Sequence, residues 1–250
     1  MSDYPFKDSA TKQAVYNWLK EALVQYSVNS AFAWADEDSL CQLFLTEVGR
    51  RPARAPGLDV QLQGYKTRGR GGGAGEKKLG ADGLGVVRIE TTHARVDGFF
   101  LFQAKKSSAQ DTPLDRVREQ SLTMLSHTSS SIVLVLCPGT VEVVSAMAVA
   151  SHNKPQPRLS DVPYEDFARF VTDKLLRGFA MAPLDSAAFL QDAALRGEIK
   201  QVLAIVAAEA HNIAAASVAV QQRLDAAGLN VERLRPIDPT AEALTIKITS

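Results

Sequence analysis

Apolar residues near the start of the chain recur with the period of a helix. Between residues 11 and 26 they stand three or four positions apart, which predicts an amphipathic helix. Residues 36–51 predict a second helix, because acidic side chains fill its first turn and two arginines lie at its C-terminal end, where each charge complements the helix dipole. We therefore expect the chain to begin with two helices.

The middle of the chain carries the alternating or wholly apolar runs that are typical of strands. These runs predict strands at residues 58–67, 83–90, 98–106, 131–137 and 140–146, and helical spacing predicts a helix at 114–128. The strands at 83–90 and 98–106 are close enough in sequence to form a hairpin. The glycine-rich residues 68–75 predict a flexible connector before that hairpin.

The C-terminal part of the chain has a helical composition after a proline-marked stretch. Residues 164–179 predict one helix, and the alanine-rich residues 185–227 predict one long helix or two. Residues 199–224 are mostly small and apolar, so they lie either in this chain's core or under another chain. We therefore expect self-association or a partner subunit to use this part. The tail at 243–250 is predicted to be β-like.

The order of the elements predicts an α/β fold, with a mixed sheet flanked by helices and a helical C-terminal appendage. We divide the 250 residues into a core at 1–150 and a mainly helical region at 151–250. The zero net charge disfavours a protein held to nucleic acid by overall charge alone. Cys41 and Cys137 lie in apolar surroundings, as reduced core residues of an intracellular protein do. No stretch is apolar enough to span a membrane, so a cytoplasmic location is expected.

One predicted strand ends on side chains that suit metal and phosphate chemistry. The sequence FFLFQAKK (99–106) places Gln103 and Lys105 on one face, because successive side chains of a strand point to opposite faces. Asp82 stands at the start of the partner strand, so the hairpin brings it to the same end. Carboxylate and amide oxygens are hard ligands suited to Mg²⁺ or Mn²⁺, and a neighbouring lysine can orient a water or stabilise charge on a phosphate. These residues indicate a site for phosphodiester hydrolysis.

With GAD (80–82) opening one strand and QAK (103–105) on the next, the sequence resembles the PD-(D/E)XK nucleases, in the Mrr-type variant where glutamine replaces the second acid. The resemblance covers residues 30–146 and implies a restriction-endonuclease-like fold. It also implies that Asp82 and Gln103 are metal ligands and that Lys105 is the catalytic lysine. Because Gln103 is neutral, more of the ion's binding depends on Asp82 and on a glutamate.

The family's glutamate has three candidates in this sequence. Glu37, at the start of the second predicted helix, fits the family position best, although its charge could equally serve the helix N-terminus. Glu47, at the far end of that helix, fits less well. Glu76 precedes Asp82 by six residues and could also reach the ion. Glu37 is the first choice, and Glu76 is kept as a further metal-ligand candidate.

The sequence around the glycine-rich connector is locally basic. From residue 50 to residue 80, eight lysines and arginines accompany two acidic residues. Such side chains can follow a phosphate backbone, and binding would then weaken steeply with added salt. The predicted nucleic-acid contacts are Lys66, Arg68, Arg70, Lys77, Lys78 and Lys106. The alternative is a merely soluble connector. A dinucleotide site at 69–74 is disfavoured, because no helical period follows its glycines.

These features together predict a Mg²⁺- or Mn²⁺-dependent nuclease, with DNA as the expected nucleic-acid partner. Restriction or antiviral defence is the setting that the resemblance implies. Many nucleases of this fold act as dimers, which agrees with the expected self-association, and no membrane contact is expected. Two alternatives stay open: a non-catalytic subunit that binds nucleic acid or assembles a larger complex, and an α/β protein with unrelated small-molecule chemistry.

Overall fold

The computed structural model describes residues 9–30, 36–67, 78–92, 94–107, 114–137, 139–154 and 158–235. The connector predicted at 68–75 and the tail predicted at 243–250 lie outside these ranges. The helices within them are α1 (Ser9–Ser30), α2 (Glu37–Val48), α3 (Leu114–His127), α4 (Ala146–Ser151), α5 (Phe167–Arg169), α6 (Ala193–Arg196) and α7 (Ile213–Ala226). The strands are β1 (Ala53–Ala55), β2 (Leu58–Thr67), β3 (Gly83–Glu90), β4 (Arg95–Lys106), β5 (Ser131–Cys137), β6 (Thr140–Ser145), β7 (Tyr164–Asp166), β8 (Ala182–Pro183), β9 (Gln201–Ala208) and β10 (Val231–Arg233).

All ten strands of the described chain belong to one mixed sheet, which curls into a half-barrel. Its order is β1-β2-β9-β3-β4-β5-β6-β7, with β10 paired to β2 and β8 paired to β4. β9 runs parallel to β3, and β4 runs parallel to β5, whereas the other pairs are antiparallel. The predicted α/β class with a mixed sheet flanked by helices is therefore confirmed.

Most elements predicted in the first half of the chain are confirmed. β2, β3 and β5 have the predicted bounds, and β3 and β4 form the predicted antiparallel hairpin. β4 begins at Arg95, three residues earlier than predicted, because the connection from β3 spans only residues 91–94. α2 begins after Asp36, whose carboxylate accepts a hydrogen bond from Ser39 N at 2.7 Å. Such an N-cap satisfies one of the otherwise unpaired N–H groups of the first turn.

The prediction of one long helix or two at 185–227 is correct only in part: α6 and α7 lie in that range, but Gln201–Ala208 between them form the strand β9. Every residue of β9 is buried, and β9 lies near the centre of the sheet, between β2 and β3. A strand covered on both faces needs apolar side chains on both, and here packing overrides the helical propensity of the alanines. The apolar run at 199–224 thus lies partly in this chain's own core. The helical C-terminal appendage is wrong for the same reason, because residues 201–208 complete the sheet.

The helix predicted at 164–179 is correct only in part. β7 occupies its first three residues and pairs with β6. Helical structure follows from α5 through a π-helical turn at Phe170–Lys174 to a 3₁₀ turn at Leu175–Arg177. The segment therefore extends the sheet before it becomes helical.

The hydrophobic core fills both faces of the sheet. Along β4, Phe100 and Phe102 pack in a cluster with side chains of α1 and α2, whereas Phe99 and Leu101 pack in a second cluster with side chains of α7. Cys41 and Cys137 are buried and are not joined by a disulfide, as predicted. No helix in the described part of the chain is long and apolar enough to cross a membrane.

Candidate functional site

The C-terminal end of β4 carries the two polar side chains that the sequence singles out. Gln103 and Lys105 flank Ala104 in the strand, so both project from the face opposite to it. Gln103 is fully buried, whereas Lys105 is partly exposed. β4 lies between β3 and β5, so a strand held on both sides fixes the position of this pair.

Asp82 lies directly before β3 and reaches the same end of β4. The hairpin pairs Gly83 with Phe102, which places Asp82 opposite Gln103. Asp82 N donates to Phe102 O at 3.0 Å, and Asp82 Oδ2 accepts a hydrogen bond from Ala104 N at 3.1 Å. The carboxylate is therefore anchored on β4, in the neighbourhood that the hairpin predicts.

Two glycines allow Asp82 to take this position. Gly80 has a φ of +70°, and a Cβ there would lie 2.6 Å from the backbone oxygen of Gln120 in α3. A Cβ on Gly83 would lie 2.1 Å from the ring of Phe102. Gly80 therefore needs both a left-handed backbone and the absence of a Cβ, whereas Gly83 needs only the absence of a Cβ. The two glycines let the chain on either side of Asp82 pack closely against α3 and Phe102.

The structure distinguishes between two of the three candidate glutamates. Lys105 Nζ lies 3.4 Å from Glu37 Oε2, so the first-choice glutamate contacts the lysine predicted to be catalytic. Glu47 lies at the other end of α2, where it is buried and pairs with Arg50, and it does not belong to this site. Glu76 lies outside the described residues. Among the described residues, Glu37 is therefore the candidate for the family's glutamate.

A second lysine joins the site from the start of β9. Lys200 N donates to Asp82 O at 3.0 Å, and Lys200 Nζ lies 2.8 Å from Asp38 Oδ2 in the first turn of α2. Lys200 is not predicted as a site residue from the sequence, because the alanine-rich run after it has the composition of a helix. The signal that identifies it is a polar pair, Lys200 and Gln201, directly before a wholly apolar run of strand length.

Two buried glutamine oxygens at this end of the sheet, one on each face, have no hydrogen-bond donor in the described part of the chain. Gln103 Nε2 donates to Gln120 Oε1 in α3, and Gln201 Nε2 donates to Asp38 O at 3.3 Å. Both amide nitrogens are thus engaged, but neither Gln103 Oε1 nor Gln201 Oε1 has a donor among the described residues. A buried oxygen without a donor costs free energy, so each is suited to receive a cation or a ligand proton.

The electrostatic environment reflects carboxylates that lie near one another. Burial raises the pKa of the Cys41 thiol in α2, and the charges of Asp82, Asp38 and Glu37 raise it further. The hydrogen bond with Asp38 raises the pKa of Lys200, burial opposes that effect, and the charges of the same three carboxylates support it. The site is therefore a locally acidic region that holds two lysines.

Some of the predicted nucleic-acid contacts lie at this end of the sheet. Lys66 pairs in register with the first residue of β9, Lys78 lies shortly before β3, and Lys106 is the last residue of β4. Lys66 and Lys78 are exposed, and Lys106 is partly exposed. The remaining predicted contacts lie outside the described residues: Arg68, Arg70 and Lys77.

The donor set fits a hard divalent cation that keeps several waters. Within the described ranges, no three His, Cys, Asp or Glu side chains come close enough together to hold a metal ion. Mg²⁺, however, is commonly bound through one or two carboxylates together with substrate phosphates and water. Asp82 and the donor-free Gln103 Oε1 agree with that mode of binding, and Glu37, which contacts Lys105, is the candidate for a second carboxylate.

Comparisons of the chain with known protein families, curated proteins and solved structures find no match. They support no family assignment. The function is therefore inferred from the geometry and chemistry of the site.

Proposed function

We propose that this protein is a metal-dependent nuclease that hydrolyses phosphodiester bonds, with DNA as its substrate. The supporting observation is that Asp82, Gln103 with its donor-free Oε1, and Lys105 lie at the same end of the β3–β4 hairpin. Oxygen ligands for a cation and an ammonium group beside them are the groups that this hydrolysis requires.

Asp82, Gln103 and Glu37 are the residues that would hold a Mg²⁺ or Mn²⁺ ion. When bound, the ion would polarise a phosphoryl oxygen and lower the pKa of a bound water. The hydrogen bond from Ala104 N fixes the Asp82 carboxylate, and the bond to Gln120 fixes the Gln103 amide. Both oxygens are thus held in place before substrate arrives, which is what an efficient site needs.

Lys105 is the residue that would act on water and phosphate. Its ammonium group, paired with Glu37, can orient the attacking water and stabilise the negative charge that builds on the phosphate. In the reaction, the water oxygen bonds to phosphorus and the ester bond to the leaving oxygen breaks. One proton of the water ends on the leaving oxygen, so the products are a phosphate monoester and a hydroxyl end.

The order of the elements supports the proposal and departs from the resemblance at one point. The elements α2 with its glutamate, β3 opened by an aspartate, β4 with the Q-x-K motif, α3 and β5 come in this order along the chain, with β1 and β2 between α2 and β3. β9 comes from outside the range that the resemblance covers, and it separates β2 from β3. The restriction-endonuclease-like fold, the defence setting and self-association stay predictions.

A non-catalytic subunit that binds nucleic acid or assembles a complex is the second candidate. It is favoured by Gln103, because a neutral ligand leaves the ion with fewer carboxylates than an acid at that position would. Such a protein would bind DNA with an affinity that falls with salt, and it would cut nothing.

Cleavage of supercoiled plasmid tests the nuclease proposal. With Mg²⁺ or Mn²⁺, wild-type protein is expected to nick or linearise the plasmid, and EDTA, Asp82→Asn and Lys105→Met are each expected to reduce cleavage at least about 100-fold. Asp115→Asn is the matched control, since Asp115 is an exposed carboxylate of α3, and it should cut as wild type does. Salt-sensitive DNA binding without cleavage by folded wild-type protein would contradict the nuclease and support the second candidate.

A further inference from the structure

The site holds a second lysine to which the nuclease proposal gives no role. The parallel pairing of β9 with β3 matches Gln201 with Gly83, and one residue earlier Lys200 N donates to Asp82 O at 3.0 Å. Asp82 in turn stands opposite Gln103 on β4. Lys200, Asp82 and Gln103 therefore lie side by side at one end of three neighbouring strands.

The two lysines of the site are paired in the same manner. Lys105 Nζ lies 3.4 Å from Glu37 Oε2, and Lys200 Nζ lies 2.8 Å from Asp38 Oδ2. Glu37 and Asp38 are consecutive residues in the first turn of α2. Two ammonium groups are thus held at the start of one helix, next to the proposed metal ligands.

Stability alone does not account for the pair formed by Lys200 and Asp38. Their side chains are 36% and 48% exposed, and ion pairs that exposed contribute little to stability. Two other contacts also hold the start of β9 in place: Lys200 N donates to Asp82 O beside β3, and Gln201 Nε2 donates to Asp38 O in α2. The ammonium group of Lys200 can therefore exchange Asp38 for another anion while the fold is kept.

We propose that Lys200 is a phosphate-binding residue of this site, which donates to an oxygen of the scissile phosphate while Lys105 acts on the attacking water. The inference rests on the proposed nuclease function. An ammonium group offers three donors on a flexible stem, and the charge on the phosphate oxygens rises as the reaction proceeds. Before substrate binds, Asp38 holds the ammonium group, and a phosphate beside Asp82 offers it acceptor oxygens instead.

The test compares Lys200→Met, Lys200→Arg, Asp38→Asn and Lys20→Met on labelled duplex DNA. Lys20 is the matched control, because it pairs with Asp166 at 2.8 Å, is 43% exposed and lies on α1 outside the site. Cleavage with Mg²⁺ gives kcat and KM, and binding in EDTA across salt concentrations gives the number of ionic contacts. Thermal unfolding gives the Tm of each variant.

Lys200→Met is expected to lower kcat/KM at least about 100-fold and to reduce the salt slope of DNA binding by about one contact. Its Tm should stay close to that of Lys20→Met, which should cut as wild type does. Lys200→Arg keeps the charge and should recover part of the lost activity. Asp38→Asn should lose much less activity than Lys200→Met, because Asp38 holds the ammonium group only before substrate binds.

Three results would overturn the role of Lys200 and leave the nuclease function intact. They are wild-type cleavage by Lys200→Met, equal losses in Lys200→Met and Asp38→Asn, and a large fall in the Tm of Lys200→Met relative to Lys20→Met. Equal losses would mean that the broken ion pair is the whole effect, and a fall in Tm would mean that Lys200 supports the fold. A wild-type protein that cuts no DNA would overturn both proposals, and this outcome is recognised without any variant.

Discussion

The two ends of the β3–β4 hairpin both hold charged side chains, but they hold them differently. At the turn end, Arg88 of β3 is 1% exposed and donates two hydrogen bonds to Asp97 of β4, at 2.7 and 3.1 Å. Arg95 and Arg223 contact the same carboxylate. At the open end, where the hairpin strands begin and finish, Asp82 meets the polar end of β4, and the two lysines of the site pair with half-exposed carboxylates of α2.

The difference lies in which atoms are left without a partner. Burial raises the pKa of Asp97, but the hydrogen bond and charge of Arg88, followed by those of Arg95, lower it overall. The atom left over at the turn end is a donor, Arg88 Nη1, which finds no acceptor in the described chain. At the open end the atoms left over are acceptors, the amide oxygens of Gln103 and Gln201. A carboxylate surrounded by arginines supports the fold, whereas buried acceptors without donors suit a site that takes up a cation.

Asp97→Ala is expected to be the most damaging change to the fold. It leaves Arg88 buried without its carboxylate, which should lower the free energy of unfolding by about 3–5 kcal/mol in denaturant titration. Asp115→Ala removes an exposed partner of Arg118 and should cost less than about 1 kcal/mol. At temperatures where it stays folded, Asp97→Ala should still cleave DNA, because the residues at the open end of the hairpin are unchanged. If Asp97→Ala lowered the free energy of unfolding as little as Asp115→Ala does, the ion cluster at the turn end would not stabilise the fold.

Gly80→Ala is expected to have the next largest effect, and it acts at the open end. It combines left-handed strain with a clash against the backbone of α3, which should cost about 2–4 kcal/mol. Gly57→Ala is the matched control, because Gly57 also has a positive φ, +76°, but a Cβ there meets nothing within 4 Å. Denaturant titration and plasmid cleavage would be measured on both. Of these two glycines, only Gly80 lies next to the site. If Gly80→Ala and Gly57→Ala lost equal stability and equal cleavage activity, the close contact between residue 80 and α3 would not be important for either.

Gln120→Leu is expected to have the smallest effect and the most selective one. It removes the acceptor that orients the Gln103 amide, so the Mg²⁺ concentration needed for half-maximal cleavage should rise roughly tenfold. Gln120→Glu keeps an acceptor and should restore a requirement close to that of wild type. The measurement is a Mg²⁺ titration of cleavage at constant ionic strength. If both variants titrate as wild type does, Gln120 does not position the proposed ligand.

The hairpin and its polar end could be predicted because local pattern decides them. Alternation along residues 99–106 sets the faces of Gln103 and Lys105, and the short connection from β3 to β4 makes antiparallel pairing the natural outcome. That pairing returns Asp82 to the end of β4. No contact between distant parts of the chain is needed for this result.

The contributions of α2 and β9 depend on residues that lie far apart in sequence. Glu37 and Glu47 stand at opposite ends of one helix, and only the packing of α2 on the sheet decides which of them meets Lys105. The alanines of β9 favour a helix in isolation, but burial between β2 and β3 favours a strand. Because the helical composition hides the strand, the position of Lys200 at its start is not predicted either.

The central position of β9 also has a consequence for the newly made chain. During synthesis, β2 and β3 leave the ribosome long before Gln201–Ala208, and until then the strand edges that β9 will join have no partner. Pairing between such distant segments is slow, and unpaired edges are prone to associate with other chains. Since Lys200 N donates a hydrogen bond to Asp82 O, the proposed site is complete, with Lys200, only after β9 has been made. A half-synthesised chain would therefore lack part of the site that we propose for DNA cleavage.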